Sequence, residues 1–283
     1  MTFSAFARTI TNQKYSHDGK ESWPDIAKRV GSTVLGAVRA DKELVDEVVK
    51  AIEERKFMPG GRYLYATGRP FHQTQNCLLL HVDDSREGWA DLLHNAGMAL
   101  MTGAGIGVVY SSIRPEGAKI RKTGGKATGP CALMQMINEC GRFIMQGGSR
   151  RSAIWGGLHW NHPDVMKFIH LKDWSEDVKR LKAADFAFPA ALDGTNISVI
   201  LDDDFFEAYD DDRDLRHSLA QMVYREVVRQ MLKTGEPGFS IDVGENAGEH
   251  LRNACTEVTS RDDSDICNLG SINMARVQSI DEM

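Results

Sequence analysis

A parallel α/β fold is predicted for this chain of 283 residues, because helical and strand patterns alternate along most of it. Residues 76–82, NCLLLHV, form a short apolar run typical of a strand that is buried on both faces. A helical pattern over about 85–102 leads to a second apolar run at 106–113. Parallel sheets bind ligands at the carboxyl ends of their strands, so the loops after these runs are the expected place for a site.

The same periodicities predict the remaining elements in order. Further helices are predicted over residues 22–40, 41–56, 131–146, 161–172, 203–209 and 214–233, and further strands over 153–160, 196–201 and 239–243. Asp41 is the expected N-cap of the second helix, Pro163 occupies a favoured first-turn position, and Gly235 ends the long helix.

Composition is that of a soluble globular protein, with 42% hydrophobic and 26% charged residues. The sequence has no apolar run near the roughly 20 residues that a membrane span needs. Because the first residues also lack the apolar segment of a signal peptide, we expect a cytoplasmic protein. The net charge of −6 with interspersed basic residues argues against binding to duplex nucleic acid, although single nucleotides remain possible partners.

The five cysteines form no CxxC pair, and none lies near histidines at zinc-ligand spacing. Neither a disulfide scaffold nor a metal site is therefore predicted. In a reducing compartment, separated thiols usually act as small buried hydrophobes, and redox or catalytic use is the less common case.

Two glycine-rich motifs resemble nucleotide-binding fingerprints but fail in their context. GAGIG at residues 103–107 follows a helix and precedes a strand, which is the reverse of the dinucleotide-binding order. For TGGKATGP, residues 123–130, a Walker motif would need Gly at the preceding position 120, which is Ile120, and Ser or Thr at position 127, which is Ala127. Both readings are rejected.

The loop QGGSRRSA, residues 146–153, is a better candidate for ligand contact. Gly147 and Gly148 permit unusual backbone angles, while Arg150 and Arg151 offer planar donors that suit a phosphate or a base edge. Taken alone, an exposed pair of arginines is more often solvated surface than a binding site.

Asn253, Cys255 and Glu257 stand at every second position in LRNACTEVTS. On an extended segment such side chains point to one side, so that an amide, a thiol and a carboxyl would share a site. This set suits chemistry at a sugar, in which Glu takes a hydroxyl proton, Asn orients a neighbouring hydroxyl and sulfur does redox or radical work. The alternative is a polar loop with an incidental cysteine.

Several collinear segments together resemble the catalytic subunit of a ribonucleotide reductase. They are MPGGRYLYATGRP with QNC, DDSREGW, GAGIGVVYSSIRPEGAKIRKTGGKATGP, QGGSRRSAIWGGLHWNHPDVMKFIHLK, NISVILDDDFFEAY, TGEPGFSIDVGENAGEHLRNACTE and CNLGSIN. The resemblance implies that residues 1–70 form an N-terminal helical region. It implies that residues 71–283 form the first half of a ten-stranded α/β barrel, with the finger loop and the start of the second half.

The resemblance assigns roles to five residues. Cys255 matches the cysteine that becomes a thiyl radical and abstracts the 3′ hydrogen of the ribose. Glu257 matches the base for the 3′ hydroxyl, and Asn253 matches the residue that hydrogen-bonds near the leaving 2′ hydroxyl. Cys77 and Cys267 match the dithiol pair that supplies two electrons and closes to a disulfide.

Allosteric parts are implied by the same resemblance. Asp84 and Arg114 match positions that hold a specificity effector, a deoxynucleoside triphosphate or ATP. Gln146 and Arg150 are candidates for passing the effector's message to the substrate, through the glycines between them. Because the family's effector sits at a subunit contact, a dimer is implied. Cys131 and Cys140 match no functional position and are expected to be structural.

The radical generator is inferred from length. Only about 75 residues precede Cys77, too few for an ATP cone plus the helical domain, which favours the adenosylcobalamin-dependent class II enzymes over class I. We expect a complementary C-terminal polypeptide to complete the barrel, from a split gene or by protein splicing, unless the chain is truncated; alone it should be inactive. Cobalamin dependence separates class II from class I, and replacing Cys255 by Ala separates both from a non-catalytic nucleotide-binding module.

Overall fold

A computed structural model describes residues 3–70, 73–121, 124–146 and 150–280. Its helices are α1 Ala5–Lys14, α2 Trp23–Ala37, α3 Lys42–Glu53, α4 Gly61–Ala66, α5 Arg86–Thr102, α6 Pro130–Arg142, α7 Val165–Ile169, α8 Glu176–Ala184, α9 Asp203–Asp210 and α10 His217–Thr234. Its strands are β1 Phe57–Pro59, β2 Cys77–Leu80, β3 Gly105–Val109, β4 Met145–Gln146, β5 Arg150–Arg151, β6 Ile154–His159, β7 Thr195–Asp202, β8 Gly238–Asp242, β9 Leu251–Arg252, β10 Thr259–Ser260, β11 Ile266–Cys267 and β12 Gly270–Ile272.

The chain divides into two compact units. The first contains Met1–Asn76 and Cys267–Met283, and the second contains Cys77–Ile266. The predicted domain boundary after residue 70 stays a prediction. Among the described residues, no helix combines the length and the apolar character needed to cross a membrane.

The first unit is built on the packing of α2 against α3. Ser22 caps α2 in a reciprocal capping box with Asp25, and α3 begins after the predicted N-cap, Asp41. The two helices are joined by the buried indole of Trp23, whose Nε1 donates to the Ile52 carbonyl oxygen at 3.0 Å. Strand β1 pairs antiparallel with β12 in this same unit.

The second unit contains the five parallel strands of a curled sheet, whose strand order is β11-β2-β3-β6-β7-β8. The strands from β2 to β8 run parallel, as the alternating pattern predicts, with Cys77 opposite Gly105 in the register of β2 and β3. Beside β2, the main chain of Leu79 donates to Asp265 at 2.9 Å and accepts from Ser264 at 2.8 Å. The fold is thus α/β, and its sheet is a six-stranded half-barrel.

The hydrophobic core of this unit buries one face of β3. Ile106 and Val108 of β3 are fully buried in one cluster with Leu100 of α5 and Ile137 of α6. Since side chains alternate along a strand, the residues between and before them face the other side of the sheet. Those residues are glycines, so β3 presents a nearly bare backbone there.

Several predicted helices are shorter in the structure, and for two of them the neighbouring contacts show why. The helix predicted over 131–146 ends at Arg142, because Met145–Gln146 turn back as β4 and pair antiparallel with β5. The helix predicted over 161–172 is reduced to Val165–Ile169. The His162 ring holds the preceding turn, since its Nδ1 accepts from Asp164 N at 3.0 Å and its Nε2 lies 2.9 Å from the Ile113 carbonyl oxygen.

The sequence patterns also missed three helices, of which α4, Gly61–Ala66, is only six residues long and begins after Gly60. Helix α8 buries none of its residues, so it carries little of the apolar periodicity that would indicate a helix. Helix α1 buries only Thr11, although Ser4 provides an N-cap. Both are polar surface helices with local caps, for which apolar spacing is a weak guide.

Candidate active site

A short hairpin carries the predicted radical cysteine. Strand β9 pairs antiparallel with β10, with Arg252 opposite Thr259 and Leu251 opposite Ser260. Residues 253–258, here called the finger loop, connect the two strands. The hairpin lies wholly within the second unit, on the glycine side of β3.

The finger loop is a turn, so the expected extended conformation of residues 253–257 is wrong. Thr256 N donates to the Asn253 carbonyl oxygen at 3.1 Å, and Thr256 has a φ of 73°. Val258 N donates to the Asn253 side-chain oxygen at 3.2 Å. An Asn side chain that accepts from a nearby main-chain N–H in this way favours a turn rather than an extended strand. The spacing of the three residues at every second position does not reveal this hydrogen bond.

Burial differs strongly between the three predicted catalytic residues. Asn253 is fully buried, whereas Cys255 and Glu257 are exposed. The buried Nδ2 of Asn253 has no hydrogen-bond partner among the described residues. A buried amide donor without a partner costs about 1–3 kcal/mol, which a bound polar group would recover. Asn253 therefore has the chemistry of a ligand donor.

Cys77 lies below the finger loop on β2. Its side chain is buried, and a methyl carbon built on the neighbouring Gly105 would lie 3.4 Å from the Cys77 Sγ and 3.0 Å from the Ala254 Cβ. The Cys77 sulfur and the side chain of Ala254, the residue before Cys255, thus both lie next to Gly105.

Cys267 belongs to the first unit and is likewise buried. Its carbonyl oxygen accepts from Asn76 N at 3.2 Å, within that unit. The redox pairing of Cys77 with Cys267 stays a prediction. Among the described residues, no three His, Cys, Asp or Glu side chains are grouped so that they could hold a metal ion.

A buried ion pair anchors the finger loop, and no sequence pattern indicated it. Arg252, directly before Asn253, lies 3.1 Å from Asp242 at the carboxyl end of β8, with side-chain exposures of 2% and 6%. The Arg252 guanidinium also donates to the carbonyl oxygens of Glu249, of Leu251 at 3.0 Å and of Ile241 at 3.4 Å. The only available hint was an Asp at the end of a predicted strand, since such ends carry functional groups.

Asp84 and Arg114 meet at the carboxyl ends of β2 and β3. The Arg114 Nε donates to Asp84 Oδ2 at 2.6 Å, and both residues line a cavity of about 470 Å³. The wall of the cavity is largely apolar, with Trp89, Leu93 and Ile113, and Arg86 and Lys126 bring positive charge to it. An apolar wall beside cations suits a nucleobase joined to phosphates.

The loop at residues 146–153, which is predicted to pass the effector's message to the substrate, is described only in part. Gln146 in β4 lies opposite Arg150 in β5, so the two residues are the last paired positions before the segment that connects the strands. Gly147 and Gly148 lie outside the described residues. The role of Gln146, Gly147, Gly148 and Arg150 in substrate specificity stays a prediction.

A buried charge cluster stands at the foot of the β4–β5 hairpin. Asp193, with a side-chain exposure of 5%, accepts from both terminal nitrogens of Arg142 at 2.7 Å and from Lys182. Close by, Ser152 Oγ donates to the Gly141 carbonyl oxygen at 2.9 Å. The cluster therefore holds the end of α6, from which the hairpin projects.

Asp193 gives this region a predicted pH dependence. Burial alone would raise its pKa, but hydrogen bonds from Lys182, Asn138 and Arg142 hold the pKa below the usual value for Asp. A lowered folded-state pKa gives stability that is present above the unfolded-state value, near pH 4, and is lost as the pH falls through the folded-state value. We expect Asp193→Asn to lower the melting temperature at pH 7 and to flatten its decline below about pH 4. Thermal unfolding across pH 2.5–7 measures this; an unchanged decline in the variant would contradict it.

The family model for the ribonucleotide reductase barrel domain matches residues 75–219. The vitamin B12-dependent ribonucleoside-diphosphate reductase of Thermoplasma acidophilum is 30% identical, over 82% of this chain and 30% of that protein. The enzyme of the same description from Mycobacterium tuberculosis is 28% identical, over 98% of this chain and 42% of that protein. The ribonucleoside-diphosphate reductase large chain of Schizosaccharomyces pombe is 27% identical, over 84% of this chain and 34% of that protein.

The fold is also similar to a solved structure. The class Id ribonucleotide reductase alpha subunit of Actinobacillus ureae matches with a TM-score of 0.74 at 15% identity, over 96% of this chain and 49% of that chain. This chain thus spans 30% to 42% of the length of the three curated relatives described above. With the family model matching half of its residues, the chain belongs to the ribonucleotide reductase family and carries residues of that family's barrel domain.

Proposed function

We propose that this chain takes part in reducing ribonucleotides to 2′-deoxyribonucleotides by a thiyl-radical mechanism. The observation that carries the proposal is the seating of the finger loop over β2 and β3. It combines the exposed sulfur of Cys255, the buried and unpaired donor of Asn253, and the sulfur of Cys77 beneath Ala254. A loop held only for structure needs no such set.

Each residue has one role in the proposed reaction. The Cys255 sulfur takes the 3′ hydrogen atom of the ribose and later returns one, while Glu257 accepts the proton of the 3′ hydroxyl. Asn253 donates to the sugar near the 2′ hydroxyl, which leaves as water. The thiols of Cys77 and Cys267 supply two electrons and two protons and close to a disulfide, so that atoms and electrons balance.

The proposed cofactor is adenosylcobalamin. Two of the relatives are named as vitamin B12-dependent. When bound, the cofactor supplies the radical. Cys255 is the residue proposed to receive the radical. The alternative is a class I large subunit, which receives its radical from a metal-bearing partner.

The proposal applies to a complete catalytic barrel, because the chain spans less than half of the relatives' length. We propose that a complementary C-terminal polypeptide supplies the remaining barrel residues, that the substrate is a ribonucleoside diphosphate, as in the relatives' names, and that the enzyme is a dimer. The cytoplasmic location stays a prediction.

Deoxynucleotide formation tests the proposal directly. It is measured with adenosylcobalamin and dithiothreitol, first with this chain alone and then with a polypeptide carrying the rest of the barrel. Activity only in the mixture would support the reaction, the cofactor and the partner together. Activity that needs a metal-bearing subunit instead of cobalamin would favour class I. If nucleotide binds but no mixture turns over, the non-catalytic binding module is favoured.

We further propose that the cavity beside Asp84 and Arg114 binds the effector nucleotide. Arg114→Ala is expected to weaken binding of dATP by about tenfold or more, because a charge-assisted contact to phosphate is lost. Isothermal titration calorimetry on this chain measures the effect without turnover. Arg213→Ala is the matched control, since Arg213 pairs with Asp211 away from the cavity. Equal dissociation constants for both variants would contradict the assignment.

A further inference from the structure

The glycines of the GAGIG motif have a structural use that nucleotide binding does not explain. A methyl carbon built on Gly107 would overlap the Arg252 carbonyl oxygen and lie 2.7 Å from the Asn253 carbonyl oxygen. These are main-chain atoms, which cannot rotate away as a flexible side chain can. The finger hairpin therefore rests directly on the backbone of β3 at Gly107.

Gly105 lies under the next part of the loop. A methyl carbon there would lie 3.0 Å from the Ala254 Cβ, 3.3 Å from the Ala153 Cβ and 3.4 Å from the Cys77 Sγ. Such contacts are tight but not overlapping, so a side chain at residue 105 would displace its neighbours by a few tenths of an ångström. Two of these neighbours are Cys77 itself and the residue before Cys255.

Strand β3 cannot move away to relieve either contact. Ile106 and Val108 point to the opposite face, where both are fully buried in the main hydrophobic core. Protein cores are close-packed, so shifting this central strand would disturb many contacts. The strain of a side chain at residue 107 falls on the hairpin instead, and that of a side chain at residue 105 falls on Ala254, Ala153 and Cys77.

We propose that Gly105 and Gly107 are positioning residues, which set the height of the finger loop and thereby the separation of Cys255 from Cys77. This proposal rests on the proposed function for its catalytic meaning. Gly107 fixes the main chain of Arg252 and Asn253, whereas Gly105 sets the contact between Ala254 and the Cys77 sulfur. The two glycines thus act on different parts of the same loop.

Hydrogen–deuterium exchange on the full chain tests the placement without requiring turnover. Gly107→Ala is expected to accelerate amide exchange over residues 251–260 by about tenfold or more, with little change in α5 and α10. The matched control is Gly156→Ala in the adjacent strand β6, where the new carbon would meet Tyr110 at 3.4 Å and Met134 at 3.7 Å, which is ordinary contact. Unchanged exchange over 251–260, or an equal effect in the control, would overturn the proposal.

Gly105→Ala provides a second test that survives if Gly107→Ala fails to fold. The Cys77 thiol is buried, so its alkylation by iodoacetamide is expected to accelerate by about threefold or more when its sulfur is displaced. Alkylation of Cys140, on α6, reports any general loosening and should not change. Equal rates at Cys77 in the variant and the parent chain would overturn the role of Gly105.

Kinetics of the completed enzyme separate this proposal from the proposed function. Gly105→Ala is expected to lower kcat by about tenfold while leaving KM nearly unchanged, because it alters reacting-group geometry more than binding. A change confined to KM would overturn the positioning role. If the parent enzyme shows no reductase activity but the exchange and alkylation effects occur, the seat of the loop stands and the proposed function fails.

Discussion

Replacement of Cys255 by Ser is expected to lower ribonucleotide reduction in the completed enzyme by roughly 10³-fold or more. An O–H bond is much stronger than an S–H bond, so a serine at residue 255 cannot carry the radical that the proposed chemistry requires. The side chain is exposed at the tip of the finger loop, and the exchange of sulfur for oxygen should therefore leave the fold and the effector cavity intact. Deoxynucleotide formation and dATP binding should be measured on the same preparation.

Cys140→Ser is the matched control. Cys140 lies on α6, where burial raises the pKa of its thiol, and it has no role in the proposed reaction. We expect this variant to retain nearly full activity. If Cys255→Ser remained active, the sulfur would not be the radical site; if both variants lost activity together, the loss would report general damage.

Asp242→Asn is expected to lower the free energy of unfolding by about 3–5 kcal/mol, because it leaves the buried guanidinium of Arg252 without its counter-ion. The two side chains are almost completely buried, so water cannot replace the lost partner. Urea denaturation of the chain measures the change. Asp211→Asn, which removes an exposed partner of Arg213, should leave the unfolding midpoint unchanged.

A double variant separates the ion pair from the space it fills. Asp242→Leu with Arg252→Met replaces both charges by apolar groups of similar length, which often restores the stability lost by single changes. We expect the double variant to be more stable than Asp242→Asn. Its finger loop should nevertheless adopt more than one position, so the completed enzyme should lose activity. A double variant as unstable as Asp242→Asn would show that the carbonyl contacts of Arg252 dominate instead.

Much of the fold follows from local patterns. The strands of the parallel sheet and the long helices α5 and α10 are buried on continuous faces, so their apolar spacing survives in the sequence. Helix α8 has no buried face, and α6 stops where the chain turns into β4, a boundary set by the partner strand β5. A helix without a buried face, or a helix end that is set by the pairing of the following strands, is therefore poorly indicated by apolar spacing.

The candidate site divides in the same way. Residue types and family resemblance predicted the roles of Asn253, Cys255 and Glu257, which stay predictions, but the conformation of their loop was wrongly expected to be extended. The turn depends on the Asn253 side chain binding Val258, which a spacing rule does not include. The Arg252–Asp242 pair and the bare face of β3 become meaningful only when the hairpin is seen to lie on the strand. The packing of a loop on a strand joins residues that are far apart in the sequence, so local patterns do not predict it.

The edge of β2 has a consequence for how the chain folds. His81 N donates to the Asp263 carboxylate across 182 residues of sequence, and the main chain of Leu79 is joined to the same late segment. While a ribosome makes the chain, β2 therefore emerges long before the segment that covers its edge. Contacts of such long range slow folding, and an uncovered apolar edge favours association with other chains. We therefore expect refolding to be slow and its yield to fall steeply with protein concentration.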